Sequence, residues 1–330
     1  MALVLLAISF VLILGGALFF TNATEWLGKR LGLGEGAVGS LLAAVGTAMP
    51  ETLIPIVAIL GGAEGSEDVA IGAIVGAPFL LATLAMAIVG ISAHTWRGKR
   101  KQGLELSADI PTLDRDLTFF LIFFALGIAT GLVLPEGLHI PAAIVFVASY
   151  GIYVRATLKG GGEVQDEDSI GRLYLDRSPG TEPPFWLVIV QFAVSLGAIV
   201  GGAHLFVEEL IHVAEDIGIE PLVLSLILAP LATELPEKIN SIFWVREGKD
   251  SLALGNVTGA MVFQSTIPIA VGLLITDWEL NHYSVVSGAL GLIGGALAYW
   301  TLRLRGRFEW LPVIAWLVLF FSFVGYVIVA

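Results

Sequence analysis

The feature that most constrains this chain is a series of apolar runs, each about 20 residues long. A helix of that length crosses the hydrocarbon core of a bilayer. Ten such runs are present, at roughly 3–21, 38–60, 69–92, 116–134, 138–157, 185–207, 221–245, 251–275, 283–302 and 309–329. The sequence therefore predicts an all-α integral membrane protein with ten transmembrane helices.

The composition agrees with a membrane class. Of the 330 residues, 56% are hydrophobic and 14% are charged, whereas a soluble domain carries about 25% charged residues. The chain has no cysteine, which excludes disulfides and thiolate metal sites. The apolar N-terminal run has no basic segment before it, so we expect a retained first span and not a signal peptide.

The basic residues predict how the chain is oriented. Sixteen of the 17 Lys and Arg residues fall in alternate connections between the runs, from Lys29 and Arg30 after the first run to Arg303 after the ninth. The intervening connections contain none. Because cytoplasmic connections carry the excess of basic residues, we expect both termini outside, in a prokaryotic plasma membrane.

The chain also contains an internal duplication. The segment 15–51 aligns without a gap to 201–237, and ten of the 37 positions are identical. Further on, GAIVGA at 72–77 matches GNVTGA at 255–260. Repeats with matching helix breaks are typical of secondary transporters whose binding site lies near the bilayer midplane.

This duplication predicts two homologous halves of five spans each. The first half covers 1–157, a polar cytoplasmic linker covers 158–184, and the second half covers 185–330. Because five is an odd number, the two halves are inverted relative to each other across the membrane.

Two glutamates occupy equivalent positions inside apolar runs. Glu51 and Glu237 each follow a proline and lie four residues after a threonine, Thr47 or Thr233. A carboxylate in the bilayer is costly and usually functional. The i, i+4 spacing places each hydroxyl and carboxylate on one helix face.

The prolines add carbonyl oxygens to these candidate sites. Pro50 removes the hydrogen bond to the Gly46 carbonyl, and Pro236 does the same for Ala232. A carbonyl freed in a membrane needs a new partner, and a cation is an efficient one. All of these ligands are hard oxygens, which favour Ca²⁺, Mg²⁺, Mn²⁺ or Na⁺.

The motifs GTAMPE and ATELPE, each followed by a G-x-V-x-G helix, resemble the two α-repeats of the cation/calcium exchanger superfamily. The sodium/calcium exchangers are the most similar branch, and the resemblance is strongest over 38–92 and 221–275. It implies ten spans, an ion site at the centre of spans 2, 3, 7 and 8, and alternating access by sliding of spans 1 and 6.

The resemblance also implies a ligand set. By position, it comprises two acidic Ca²⁺ ligands, two paired threonines and two backbone carbonyls: Glu51, Glu237, Thr47, Thr233, Ala44 and Pro230.

Several positions depart from the pattern of that superfamily. Residues that usually carry hydroxyl or carboxamide oxygens are here Ala48, Ala77, Leu81, Glu234, Ala260 and Gln264. Of these six, Gln264 keeps an amide ligand and Glu234 adds an acid. These positions help to form the Na⁺ sites of the superfamily. The loss of their side-chain oxygens argues against full Na⁺ coupling.

Three interpretations of Glu234 remain open at this stage. It lies three residues before Glu237, so it could replace a missing ligand or carry a proton. In the third interpretation, Lys238, four residues further on, neutralises it.

We therefore predict secondary active exchange of a divalent cation, Ca²⁺ first, against Na⁺ or H⁺. The expected partners are inorganic cations and the lipid bilayer, with no cofactor, no nucleotide and no nucleic acid. The alternatives are an H⁺-coupled or Mg²⁺/Mn²⁺ exchanger, and a transport-inactive sensor or scaffold. An intramembrane hydrolase is a weaker alternative, because no matching catalytic motif is present.

Overall fold

The structure is a computed structural model that describes residues 1–30, 43–159, 171–176 and 182–329. Within these ranges it is helical and contains no strand, which confirms the all-α prediction. The α-helices are α1 Ala2–Arg30, α2 Ala43–Gly61, α3 Ser66–Leu80, α4 Met86–Thr95, α5 Ile110–Val133, α6 His139–Lys159, α7 Phe185–Ile217, α8 Pro221–Glu247, α9 Asp250–Gln264, α10 Ile267–Ile275, α11 His282–Trp300 and α12 Trp310–Val329.

Eight helical segments of the described chain are long and apolar enough to cross a membrane. They are Ala2–Leu27, Ser66–Thr95, Ile110–Val133, Glu136–Thr157, Phe185–Ile217, Asp250–Ile275, His282–Arg303 and Trp310–Val329. The second and seventh predicted runs hold shorter apolar helices, Pro50–Gly61 and Pro221–Glu234. Each predicted run thus corresponds to a helical segment, and ten complete crossings remain a prediction.

The connections between the helices gather in two groups. In the basic group, Phe308 N donates to Leu104 O over 2.9 Å, and the 96–109 connection also reaches the start of α9. In the other group, Asp277 N donates to Glu67 Oε1 over 2.6 Å. Alternate connections therefore share an end of the bundle, as a chain that repeatedly crosses a membrane requires. Which end faces the cytoplasm stays a prediction.

Part of the predicted linker packs on the first helix of each half. Gln191 Nε2 on α7 donates to Asn22 Oδ1 on α1 over 2.9 Å. Leu175 N donates to Gln191 Oε1, and Asn22 Nδ2 donates to Arg172 O. The described segment 171–176 therefore ties the ends of α1 and α7 together, while the boundaries of the two halves stay a prediction.

Helices α1 and α7 contact each other in a reciprocal way. A Cβ atom added to Gly16 would lie 2.8 Å from Cγ1 of Ile199, and one added to Gly202 would lie 3.0 Å from Cγ1 of Ile13. The repeat aligns Ile13 with Ile199 and Gly16 with Gly202. Two patches that contact each other reciprocally indicate a twofold relation, here between the two halves.

A second close approach joins the two halves at α3 and α8. A Cβ atom at Gly76 would clash with the Leu226 carbonyl oxygen, and one at Gly72 would lie 2.5 Å from the carbonyl oxygen of Leu222. Ser225 Oγ donates to Val69 O over 2.7 Å across the same contact. Since glycine alone permits this approach, the glycines of the first repeat fix where α8 lies.

The third and eighth spans are interrupted at equivalent positions. A π-turn, Leu81–Ala85, separates α3 from α4. In the second half, α9 ends at Gln264 and α10 begins at Ile267, and the Thr266 hydroxyl donates to Val262 O over 2.8 Å. The motif alignment places Leu81 opposite Gln264. Such interruptions often lie at functional sites.

Candidate functional site

The candidate site of the second half begins on α8, where Pro230, Thr233 and Glu234 are all buried. Thr233 Oγ1 donates to Ala229 O over 3.2 Å. Because this bond uses the hydroxyl proton, the oxygen lone pairs of Thr233 remain for a cation.

Gln264 presents an oxygen where α9 ends. Its side chain is 2% exposed, and its Nε2 donates to Glu234 Oε1 over 2.9 Å. Among the described residues, none donates to its Oε1. A buried carbonyl oxygen without a donor is costly, and a hard cation supplies the missing partner. The role of Gln264 as a cation ligand, which the sequence predicted, stays a prediction.

Glu234 and Lys238 form a buried ion pair on α8. Lys238 Nζ lies 3.4 Å from Glu234 Oε2 and donates to Asn256 Oδ1 on α9 over 3.0 Å. The lysine is 1% exposed. The pairing expected from the i, i+4 spacing is thus present. Whether Glu234 also binds a transported cation or carries a proton stays a prediction.

The first half presents a different surface around its acid. Glu51 is 5% exposed on α2. On the third span, Ala77 and Leu81 are both buried, and Leu81 belongs to an apolar core cluster. These positions supply no side-chain oxygen.

Some predicted ligands fall outside this part of the structure. The side chains of Thr47 and Glu237 lie outside the described residues, and Ala44 is described only as helix backbone. Where side chains are described, no group of three or more His, Asp or Glu residues is arranged to hold a metal ion. The convergence of Glu51 and Glu237 on one ion therefore stays a prediction.

Asn256 is a polar residue near the candidate site whose role was not predicted from the sequence. It lies in the GNVTGA motif, where the first repeat has Ala73. That difference between the repeats could have indicated a buried polar contact, because an amide inside an apolar span needs a polar partner.

A second polar cluster was also missed. Asp116 Oδ1 accepts hydrogen bonds from Tyr153 and from Arg115, at 3.0 and 3.1 Å, and Oδ2 accepts one from Thr258 at 2.9 Å. The cluster joins α5, α6 and α9. Thr258 lies in the GNVTGA motif, but the other members come from separate segments outside the motifs, so the sequence does not connect them.

Inverted halves, helices interrupted at matching positions and a buried carboxylate in each half define a class, the secondary transporters. A family model described as sodium/calcium exchanger protein matches residues 1–159 and 187–329. The chain belongs to this family, and it is an integral membrane antiporter of the cation/calcium exchanger superfamily.

Relatives and solved structures agree with this assignment. The sodium/calcium exchanger MaX1 of Methanosarcina acetivorans is 28% identical over 86% of this chain and 93% of its own. The fold of the H⁺/Ca²⁺ exchanger CAX matches with a TM-score of 0.72 and 23% identity, over 98% of this chain and 81% of that one. The sodium-calcium exchanger NCX_Mj matches with a TM-score of 0.59 and 20% identity, over 98% of both chains.

Proposed function

We propose that this protein, a transporter and not an enzyme, exchanges a divalent cation for Na⁺ or H⁺ by alternating access, with Ca²⁺ as the first candidate. The observation that carries the proposal is the carboxamide of Gln264. Its nitrogen is fixed on Glu234, and no described residue donates to its buried oxygen. The oxygens of Glu51, Glu237, Thr47, Thr233 and Gln264, with the carbonyls of Ala44 and Pro230, form the proposed ligand set.

The type of ligand supports a hard cation. Carboxylate, hydroxyl and carbonyl oxygens are the donors that Ca²⁺ and Mg²⁺ prefer, and Ca²⁺ accepts irregular geometry more readily. A site built from two interrupted spans gives irregular geometry. Ca²⁺ therefore fits better than Mg²⁺, and Mn²⁺ is the next candidate.

The counter-ion is proposed from what the first half lacks. Ala77 and Leu81 are buried and carry no oxygen, so fewer Na⁺ ligands are present than the superfamily pattern has. This loss favours a smaller number of counter-ions per cycle, with H⁺ as the alternative to Na⁺.

Movement of α1 and α7 as a pair, tied by Asn22 and Gln191, is the proposed route to alternating access.

Transport of ⁴⁵Ca²⁺ into proteoliposomes tests this proposal. The purified protein is reconstituted, and uptake is measured with an outward Na⁺ gradient and, separately, with an outward H⁺ gradient. We expect at least one gradient to drive uptake, and Glu51→Gln to abolish it. The matched control is Glu215→Gln at an exposed position of α7, which is expected to keep uptake. If neither gradient moves Ca²⁺ or Mn²⁺, the exchanger proposal is wrong and a sensor or scaffold takes its place.

A further inference from the structure

Lys238 is an unusual residue for the interior of a membrane bundle. Its ammonium is 1% exposed and lies between a carboxylate oxygen of Glu234 at 3.4 Å and the amide oxygen of Asn256 at 3.0 Å. A buried ammonium is stable when it is paired and hydrogen-bonded. Here the pairing groups are a carboxylate and a carbonyl-type oxygen, the donors that also coordinate a free alkali cation.

The surroundings of Lys238 have no equivalent in the first half. The repeat alignment places Ala48 opposite Glu234, Thr52 opposite Lys238, Ala73 opposite Asn256 and Leu81 opposite Gln264. The acid, the base and both amides therefore belong to the second half alone. Glu234 and Lys238 lie on α8, Asn256 lies on α9, and Gln264 ends α9 at the span interruption. A network that breaks the symmetry in four places at once marks a function that the duplicated ligands do not supply.

The charges on the four central helices indicate how many cations balance the site. Away from their ends, α2, α3, α8 and α9 carry four charged residues, Glu51, Glu234, Glu237 and Lys238. Three carboxylates and one ammonium leave a net charge of two negative. One divalent cation neutralises that charge, and so do two monovalent cations. In a medium of low dielectric constant, an unbalanced charge is strongly disfavoured.

We propose that Lys238 is a built-in cation that sets the exchange ratio. Its ammonium occupies a monovalent-cation position between Glu234 and Asn256 and stays on the protein throughout the cycle. The exchanger then moves one divalent cation against two monovalent ones, without net charge transfer. This inference rests on the proposed function and adds the stoichiometry to it.

The variants that test this inference change the fixed charge in known steps. Lys238→Met leaves three carboxylates, so the site takes up a third monovalent cation and the exchange moves one charge per cycle. The double variant Glu234→Gln/Lys238→Met removes one charge of each sign and restores the net charge of two negative. The double variant is also the control for folding, because it leaves no unpaired charge from the Glu234–Lys238 pair buried.

The measurement is the equilibrium ⁴⁵Ca²⁺ ratio across proteoliposomes at a fixed counter-ion gradient, with the membrane potential clamped by K⁺ and valinomycin. In wild type and in the double variant, we expect no change in this ratio when the potential changes. In Lys238→Met, a change of about 60 mV should alter the ratio about tenfold, as a single transferred charge requires.

The outcomes separate the two proposals. Wild-type exchange that responds to voltage overturns the role of Lys238 and leaves the proposed function intact. The same conclusion follows if the double variant responds like Lys238→Met. If Lys238→Met does not fold, a voltage response of the wild type or of the double variant still overturns the role of Lys238. Absence of Ca²⁺, Mn²⁺ and Mg²⁺ flux in wild type overturns both proposals.

Discussion

The two halves of this protein share a scaffold but differ in their polar chemistry. The reciprocal contacts of Gly16 and Gly202 and the interruptions of the third and eighth spans follow the repeat. In contrast, the buried network of Glu234, Lys238 and Gln264 exists in the second half alone. Symmetry therefore locates the helices, whereas we propose that the charge balance is set by residues that break the symmetry.

The acids that both halves share should produce the largest effect. Glu51→Gln keeps the size of the side chain and removes its charge, so a divalent cation loses a central ligand. We expect the initial rate of ⁴⁵Ca²⁺ uptake to fall at least about 100-fold, because a hydrogen-bonded or ion-bonding buried charge contributes about 3 kcal/mol or more. Glu237→Gln should match it. A substantial difference in uptake rate between the two variants would show that the two acids are not equivalent ligands.

The close approach of α3 to α8 should give the next largest effect. Gly76→Ala places a methyl group against the Leu226 carbonyl, and overpacking of this kind costs about 1–3 kcal/mol. Its repeat partner is Gly259, where no described atom lies within 4 Å of an added Cβ. In detergent, we expect Gly76→Ala to lower the melting temperature by several degrees and Gly259→Ala to have little effect. Equal destabilisation would remove the distinction between the two glycines.

Gln264 tests the difference between the halves directly. Gln264→Leu gives the second half the residue that the first half has at Leu81. The variant removes one proposed cation ligand and one hydrogen bond to Glu234, so we expect the apparent KM for Ca²⁺ to rise about tenfold, as about 1.4 kcal/mol requires. Leu81→Gln is the matched control, and it should not lower KM. An unchanged KM in Gln264→Leu would exclude Gln264 as a ligand.

The glycine pairs on α1 and α7 should show the smallest effect. Gly16→Ala and Gly202→Ala place a methyl group against equivalent isoleucines. We expect both variants to lower the free energy of unfolding by a similar amount, about 1 kcal/mol. For Gly15 and Gly201, no described atom lies within 4 Å of an added Cβ. There, alanine should be neutral or slightly stabilising because it favours the helix. Denaturation in detergent compares the four variants, and unequal effects at Gly16 and Gly202 would contradict the twofold relation.

Much of the fold could be predicted from the sequence because its signals are repetitive. Apolar runs gave the positions of the helices, and the gap-free repeat implied the twofold relation that the contacts of Gly16 and Gly202 now display. The i, i+4 spacing identified the pairing of Glu234 with Lys238, because it depends on one helix alone.

The remaining contacts could not be predicted because they join separate segments. Asn256 meets Lys238 only after α8 and α9 are packed together. The same holds for Asp116 with Thr258, and for the fully buried, bidentate pair of Arg100 with Asp250, at 2.7 and 2.8 Å. Arg100 is one of the basic residues in the connection between the third and fourth runs, and the structure buries it against α9.

We propose that this protein couples a divalent cation to monovalent cations through one shared site. The most direct measurement records ⁴⁵Ca²⁺ entry and counter-ion exit in the same proteoliposomes, with ²²Na⁺ or a trapped pH dye. We predict that both fluxes occur at a fixed ratio of two monovalent cations to one Ca²⁺, and that Glu51→Gln stops both together. Ca²⁺ entry without counter-ion exit, or counter-ion exit that continues in Glu51→Gln, would contradict the account.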